Sequence, residues 1–135
     1  MPTILLQITI PLLLGLFHIV GPAPADLAAE TGHLSACPGP AHCASARWQV
    51  ADSTAALEQL SEAIRTTPRT EIVNQSNNYL HATYSSRIFG FVDDLELVAS
   101  DDVTLEARSI SRLGESDLGV NAQRIEKLGQ SLNSR

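Results

Sequence analysis

The densest group of polar side chains runs from residue 93 to residue 124 and contains Arg108, Arg112 and Arg124. A guanidinium group presents a planar fork of donors that matches carboxylate and phosphate groups. Three such forks predict a pocket for a small anionic ligand. Because carboxylates outnumber arginines in the group, the sequence favours the alternative for these arginines, a lattice of Arg–carboxylate pairs that joins a sheet to the loop and helix after it. The residues predicted to contact a ligand are His81, Asp94, Arg108, Arg112, Ser116, Asp117, Asn121 and Arg124.

A hydrolase is the catalytic alternative. Nucleophilic catalysis needs a base beside the nucleophile, and His81, predicted to lie on an adjacent strand, is the only candidate. A small periplasmic hydrolase would therefore use His81 with Ser109 or Asp93. However, Ser109 lacks the glycine elbow that exposes a catalytic serine, and Asp93 and Asp94 would project to opposite faces of a strand instead of sharing a proton. The sequence assigns no catalytic residue, metal or cofactor.

Cys37 and Cys43 are the two cysteines of the chain. In an exported protein such a pair most simply forms a disulfide, which would stabilise a short loop by about 2 kcal/mol. A zinc site that adds His42 and His81 is an alternative, although zinc ligands are usually paired more closely. A free or reactive thiol is the third alternative. We predict the disulfide.

The N-terminal 25 residues carry no charged side chain, and residues 4–20 are almost wholly apolar. This length suits the core of a signal peptide and is just sufficient to span a bilayer. Ala23 and Ala25 form a small-residue pattern for cleavage before Asp26, but no Lys or Arg precedes the apolar segment. Residues 1–25 are therefore predicted to be a signal peptide or a membrane anchor, and the protein is predicted to be exported, periplasmic or otherwise extracytoplasmic.

The formal net charge of −6 argues against nucleic acid as a partner, because phosphate binding needs a basic surface. The sequence also lacks a basic run that could hold an anionic membrane surface. Contact with a membrane is therefore predicted only through the N-terminal segment. The remaining predicted partners are a small anionic ligand or an envelope protein.

Residues 26–50 are rich in alanine, glycine and proline without periodicity. They are predicted to form an extended leader and the loop between the cysteines. Asp52 or Ser53 can cap a helix that continues with apolar residues at helical spacing, and Pro68 ends it.

Alternating apolar and polar residues then predict short strands. The predicted strands cover residues 70–74, 79–87, 91–99 and 103–112. Asn121 is predicted to cap a final helix. Residues 51–135 are therefore predicted to be a single α+β domain, an antiparallel meander of three to four strands with an N-terminal and a C-terminal helix packed on one face.

The pairing of the last two predicted strands depends on the turn between them. A three-residue turn over residues 100–102 would set Asp94 opposite Arg108 and Glu96 opposite Glu106. The first pair is favourable, whereas the second brings two like charges together.

Four motifs occur in one order along the chain. They are Cys37-Pro-x4-Cys43-x-Ser45, Tyr79-Leu80-His81-Ala82, Phe91-Val92-Asp93-Asp94-Leu95-Glu96, and Arg108-Ser109-x-Ser111-Arg112-x-Gly114-x-Ser116-Asp117-Leu118-Gly119-x-Asn121. Together they resemble the exported family catalogued as domain of unknown function 1499, found in bacteria, cyanobacteria and plastids. The resemblance covers roughly residues 37–128 and implies export and a shared fold, but no reaction.

The chain differs from the family pattern within the cysteine loop. It has His42 where an asparagine is usual and Ala46 where a serine is usual. These differences leave the disulfide untouched but argue against a hydroxyl role near Cys43. The resulting prediction is a non-catalytic binding or assembly module, with the hydrolase as the alternative.

Overall fold

The computed structural model describes residues 20–133. The elements in chain order are α1 (Ala28–Thr31), β1 (Cys43–Gln49), α2 (Ser53–Arg65), β2 (Thr70–Gln75), β3 (Tyr79–Ser85), β4 (Val92–Asp101), β5 (Thr104–Ser111) and α3 (Val120–Asn133). The predicted signal peptide or anchor lies outside the described residues, apart from residues 20–25. Within residues 20–133, no helix is long and apolar enough to cross a membrane.

The five strands form one antiparallel sheet in the order β1-β5-β4-β3-β2. This sheet and its helices confirm the α+β class, and β2 to β5 form the predicted meander. The predicted number of strands is wrong, because β1 adds a fifth strand at the outer edge of β5. Since β1 precedes α2, the helix predicted as the N-terminal element follows a strand.

The strand β1 lies within residues 26–50, which the sequence predicts to be an extended leader. Ala44, Ala46 and Trp48 pack against the core, while Ser45 and Arg47 are exposed. The alternation is therefore present, but alanine is a weak strand former, so the pattern carries little signal without a partner strand. Pairing with β5 supplies that partner.

Both long helices pack against one face of the sheet, as predicted. Leu57, Leu60 and Ile64 of α2 and Ile125 and Leu128 of α3 are buried there. Their spacing places them on a single stripe of each helix. The sheet contributes Leu80, Ala82, Leu95, Leu97, Leu105 and Ala107 to this core.

The predicted register between β4 and β5 is wrong by two residues. Glu96 lies opposite Arg108, not Glu106, and Asp94 lies opposite Ile110. The turn is shorter than predicted because Asp101 already pairs with Thr104, and the register shifts between Ala99 and Asp101. A shift of two residues keeps every side chain on its predicted face.

The last helix begins at Val120, so the prediction that Asn121 caps it is wrong. Gly119 occupies the cap position, because its carbonyl oxygen accepts the N–H of Gln123 at 3.0 Å. The Asp117 carboxylate supplies the side-chain acceptor and accepts the N–H groups of Gly119 at 2.8 Å and Asn121 at 3.2 Å. The Asn121 side chain is thereby free to point into the protein, where it is fully buried.

The segment ahead of β1 covers the other face of the sheet. Ala28 is buried there against Tyr79 and Val98. A disulfide joins Cys37 to Cys43, as predicted, and ties this segment to the start of β1. Since the two sulfur atoms are bonded to each other, they are not available for the alternative zinc site.

Candidate functional site

The structure divides the predicted ligand-binding residues between the two faces of the sheet. His81, Asp94, Arg108 and Arg112 lie on the face covered by the N-terminal segment. Those on or near α3, on the helix face, are Asp117, Asn121 and Arg124, with Ser116 exposed in the preceding loop. The division follows from strand geometry, because neighbouring residues point to opposite faces.

On the first face, Arg108 is at the centre of a buried ion-pair network. Its guanidinium donates to Glu96 at 3.0 Å and to both carboxylate oxygens of Asp26 at 2.9 and 3.2 Å. Glu96 also accepts from the Ala28 N–H at 2.6 Å and the Tyr79 hydroxyl at 2.7 Å. Burial alone would lower the pKa of Arg108, but its bonds to the two carboxylates outweigh burial and raise it.

Asp94 forms a second buried cluster on the same face. It accepts a bidentate pair from Arg112 at 2.7 and 3.0 Å, and its Oδ1 lies 2.7 Å from His81 Nε2. Burial acts to raise the pKa of Asp94, but the bonds with His81 and Arg112 outweigh it and hold the pKa below its ordinary value. The hydrogen bonds with the Asp94 carboxylate in turn raise the pKa of Arg112, against the effect of burial.

On the helix face, Arg124 holds β4, β5 and α3 together. It donates to Asp93 at 3.0 Å and to Ser109 and Asn121, each at 2.9 Å. Its guanidinium also stacks over the Tyr84 ring, 4.1 Å from the ring centre.

These contacts decide between the two interpretations of the three arginines. Arg108, Arg112 and Arg124 do not converge on one pocket, and each is paired with a carboxylate. The geometry is that of the lattice alternative.

The positions of the side chains also do not support the hydrolase alternative. His81 pairs with Asp94 on one face, while Ser109 and Asp93 bond to Arg124 on the other. The predicted combination of base and nucleophile is therefore not brought together.

A cavity of about 540 Å³ opens on the helix face, where β4 begins and β5 ends. Its polar floor includes Asp93, Ser111 and Arg124, and its volume is in the range typical of small-molecule sites. The apolar residues of its wall are Pro68, Phe91, Leu113, Leu118 and Val120.

The apolar wall is unusually exposed. Phe91 is 44% exposed, and Leu118 is 90% exposed with a φ of +54°. A left-handed conformation costs a residue with a Cβ about 1–2 kcal/mol. Exposed apolar side chains around a concave polar floor are typical of binding sites.

The cavity also contains polar groups that remain available to a ligand, among them a cation and an aromatic hydroxyl. The Arg69 guanidinium forms no salt bridge within residues 20–133, and the Tyr84 hydroxyl makes no hydrogen bond there. Burial raises the pKa of Tyr84, although Arg124 acts against it, so Tyr84 is a neutral donor at physiological pH. All four oxygens of Asp93 and Asp117 already accept protein hydrogen bonds.

A family model described as protein of unknown function (DUF1499) matches residues 28–132. The chain belongs to the DUF1499 family. The match confirms the resemblance and spans α1, all five strands and nearly all of α3. No curated protein and no solved structure matches the chain. Because the family description states no activity, the function of this DUF1499 chain must be argued from its site.

Sequence reasoning missed Arg69, Tyr84 and the apolar wall. Arg69 lies in the short connection between α2 and β2, far from the polar group at 93–124. One feature of the sequence could have indicated the apolar wall. Leu113 and Leu118 lie in a glycine-bearing loop, where large apolar side chains are not expected to be buried in the core.

We expect the buried Glu96–Arg108 pair to be far more important for stability than its exposed neighbour. Glu96→Ala leaves Arg108 with only its partly exposed Asp26 partner, so the free energy of unfolding should fall by about 3 kcal/mol or more. Glu106→Ala, which removes the exposed pair with Arg47, should cost less than about 1 kcal/mol. Urea unfolding measures both; similar losses would contradict this ranking.

Asp94 should make stability sensitive to acid. Because its pKa is lower in the folded than in the unfolded chain, its contribution is complete above pH ~4 and is lost as the pH falls further. In Asp94→Asn, stability should therefore fall less steeply below pH ~4 than in the wild type. Asp102→Asn, at an exposed turn position, is the control and should follow the wild-type curve. Parallel wild-type and Asp94→Asn curves in urea unfolding would refute this role.

Proposed function

We propose that this DUF1499 protein is an exported, non-catalytic binding module whose cavity holds a small anion with an apolar body. The observation that carries the proposal is the combination of Arg69, a cation without an ion pair in the described part of the chain, with the apolar wall of the same cavity. Arg69 would pair with the anionic group, and the Tyr84 hydroxyl would donate to it.

The choice of Arg69 over the predicted arginines follows from their partners. An anion at Arg108 or Arg112 would have to displace a buried carboxylate, which costs several kcal/mol. At Arg124 it would compete with Asp93. Arg69 is exposed and has no carboxylate partner within residues 20–133, so an anion that binds it displaces only water.

The apolar part of the ligand is inferred from the wall. Phe91, Leu113 and Val120 are each more than a third exposed, and a ligand that covers them removes apolar surface from water. Each buried methylene contributes about 0.8 kcal/mol. A bare inorganic anion would gain none of this, so the cavity favours an amphipathic one.

Export is supported by two separate features. The Cys37–Cys43 disulfide is the kind of bond that persists in oxidising compartments. Residues 4–20 have the length and composition of an export signal or anchor. A non-catalytic role is supported by the separation of His81 from Ser109 and Asp93 on opposite faces.

Binding of 8-anilino-1-naphthalenesulfonate, an anion with an apolar body, tests the cavity. The full chain should enhance the fluorescence of this dye, and Arg69→Gln should raise its dissociation constant about tenfold through loss of the charged hydrogen bond. Val120→Trp, which fills the cavity from its wall, should weaken binding as well.

The matched control is Arg87→Gln, because Arg87 is another exposed arginine without a salt bridge within residues 20–133 but does not line the cavity. It should bind the dye as the wild type does. Equal effects of Arg69→Gln and Arg87→Gln would mean that the dye responds to overall charge, and the proposed site would be wrong.

A further inference from the structure

The loop between β3 and β4 exposes a second set of apolar side chains. Ile88 is 74% exposed and Phe89 is 47% exposed, and neither lines the cavity. Phe89 stacks on Phe91 with ring centres 5.5 Å apart. Arg87 directly precedes them, so the tip combines a cation with an aliphatic and an aromatic residue.

The N-terminal segment joins the domain at the same end. Gly21 lies so close to Leu113 that a Cβ atom at Gly21 would be 2.8 Å from the Leu113 Cγ atom. Arg112 also donates to the Gly21 carbonyl oxygen at 3.4 Å. The chain that leads back to the apolar residues 4–20 therefore leaves the domain beside the cavity wall.

We propose that this end of the domain rests on a lipid bilayer, with residues 4–20 kept as an anchor and the tip at Arg87–Phe89 inserted at the interface. Ile88 and Phe89 would reach the acyl boundary, while the Arg87 charge stays among the headgroups. The sequence predicts membrane contact through the N-terminal segment alone, and the loop adds a second contact. This inference does not depend on the ligand proposed for the cavity.

A bilayer fits these observations better than a protein partner. An anchor formed by residues 4–20, which directly precede Gly21, would hold the nearby tip at the membrane surface, where its apolar side chains leave water without a specific partner.

The opposite end of the sheet provides an internal reference. Val103, in the turn between β4 and β5, is 46% exposed, nearly the same as Phe89. Since β4 has 10 residues, it separates the two positions by about 30 Å. Trp48 is the one tryptophan of the chain and lies nearer Val103, because Gln49 pairs with Thr104.

The test uses the full chain reconstituted into phosphatidylcholine vesicles whose acyl chains carry bromine, which quenches tryptophan fluorescence. In the wild type, Trp48 should not be quenched. The fluorescence of Phe89→Trp should contain an additional blue-shifted component that bromine quenches. The additional tryptophan fluorescence of Val103→Trp should not be quenched. Both substitutions are at exposed positions, so the fold should tolerate them, and dye binding by the cavity should persist in each.

Two results would overturn the proposal. Absence of quenching in Phe89→Trp would place the tip in water or against a protein, and equal quenching of Phe89→Trp and Val103→Trp would mean that the domain has no fixed orientation. The intact mass of the protein from its own envelope fraction tests the anchor: the full chain is expected, and a chain that begins at Asp26 would contradict retention. Loss of dye binding with normal quenching would contradict only the cavity.

Discussion

The buried cross-strand pair between Glu96 and Arg108 is the interaction on which one whole face of the sheet depends. Alternation of polar and apolar residues in β4 and β5 is satisfied equally by registers that differ by two residues. One register would set Glu96 against Glu106, while the observed register sets it against Arg108, with both residues 1% exposed. Because an unpaired buried charge costs several kcal/mol, charge selects between registers that hydrophobicity does not distinguish.

The same pair also recruits the N-terminal segment. Asp26 binds Arg108, 82 residues away along the chain, and the Ala28 N–H donates to Glu96, 68 residues away, so the N-terminal segment closes over the sheet. The arginines whose chemistry suggests an anion site therefore have structural partners. A cation available to a ligand has to lie outside this network, and Arg69 meets that condition.

At the end of the sheet where β4 begins and β5 ends, side chains are exposed instead of being covered by another segment. There the chain leaves apolar side chains uncovered, and Leu118 adopts a left-handed backbone conformation at an exposed position. In the polar floor of the cavity, Arg124 of α3 donates to Asp93 of β4 and to Ser109 of β5 and so connects the three elements. A polar floor under an exposed apolar wall is typical of small-molecule sites. In the proposed arrangement, the ligand site and the membrane contact share this end.

Local patterns along the sequence were sufficient for much of this architecture. Period-two alternation determined the strands of the meander and their faces, helical spacing determined α2 and α3, and the two cysteines determined the disulfide. Only the tertiary structure decided the strand β1, the β4–β5 register, the partner of each buried arginine and the position of Arg69 at the cavity. Each depends on a contact between residues distant in sequence, such as Asp26 with Arg108, and local periodicity carries no information about such partners.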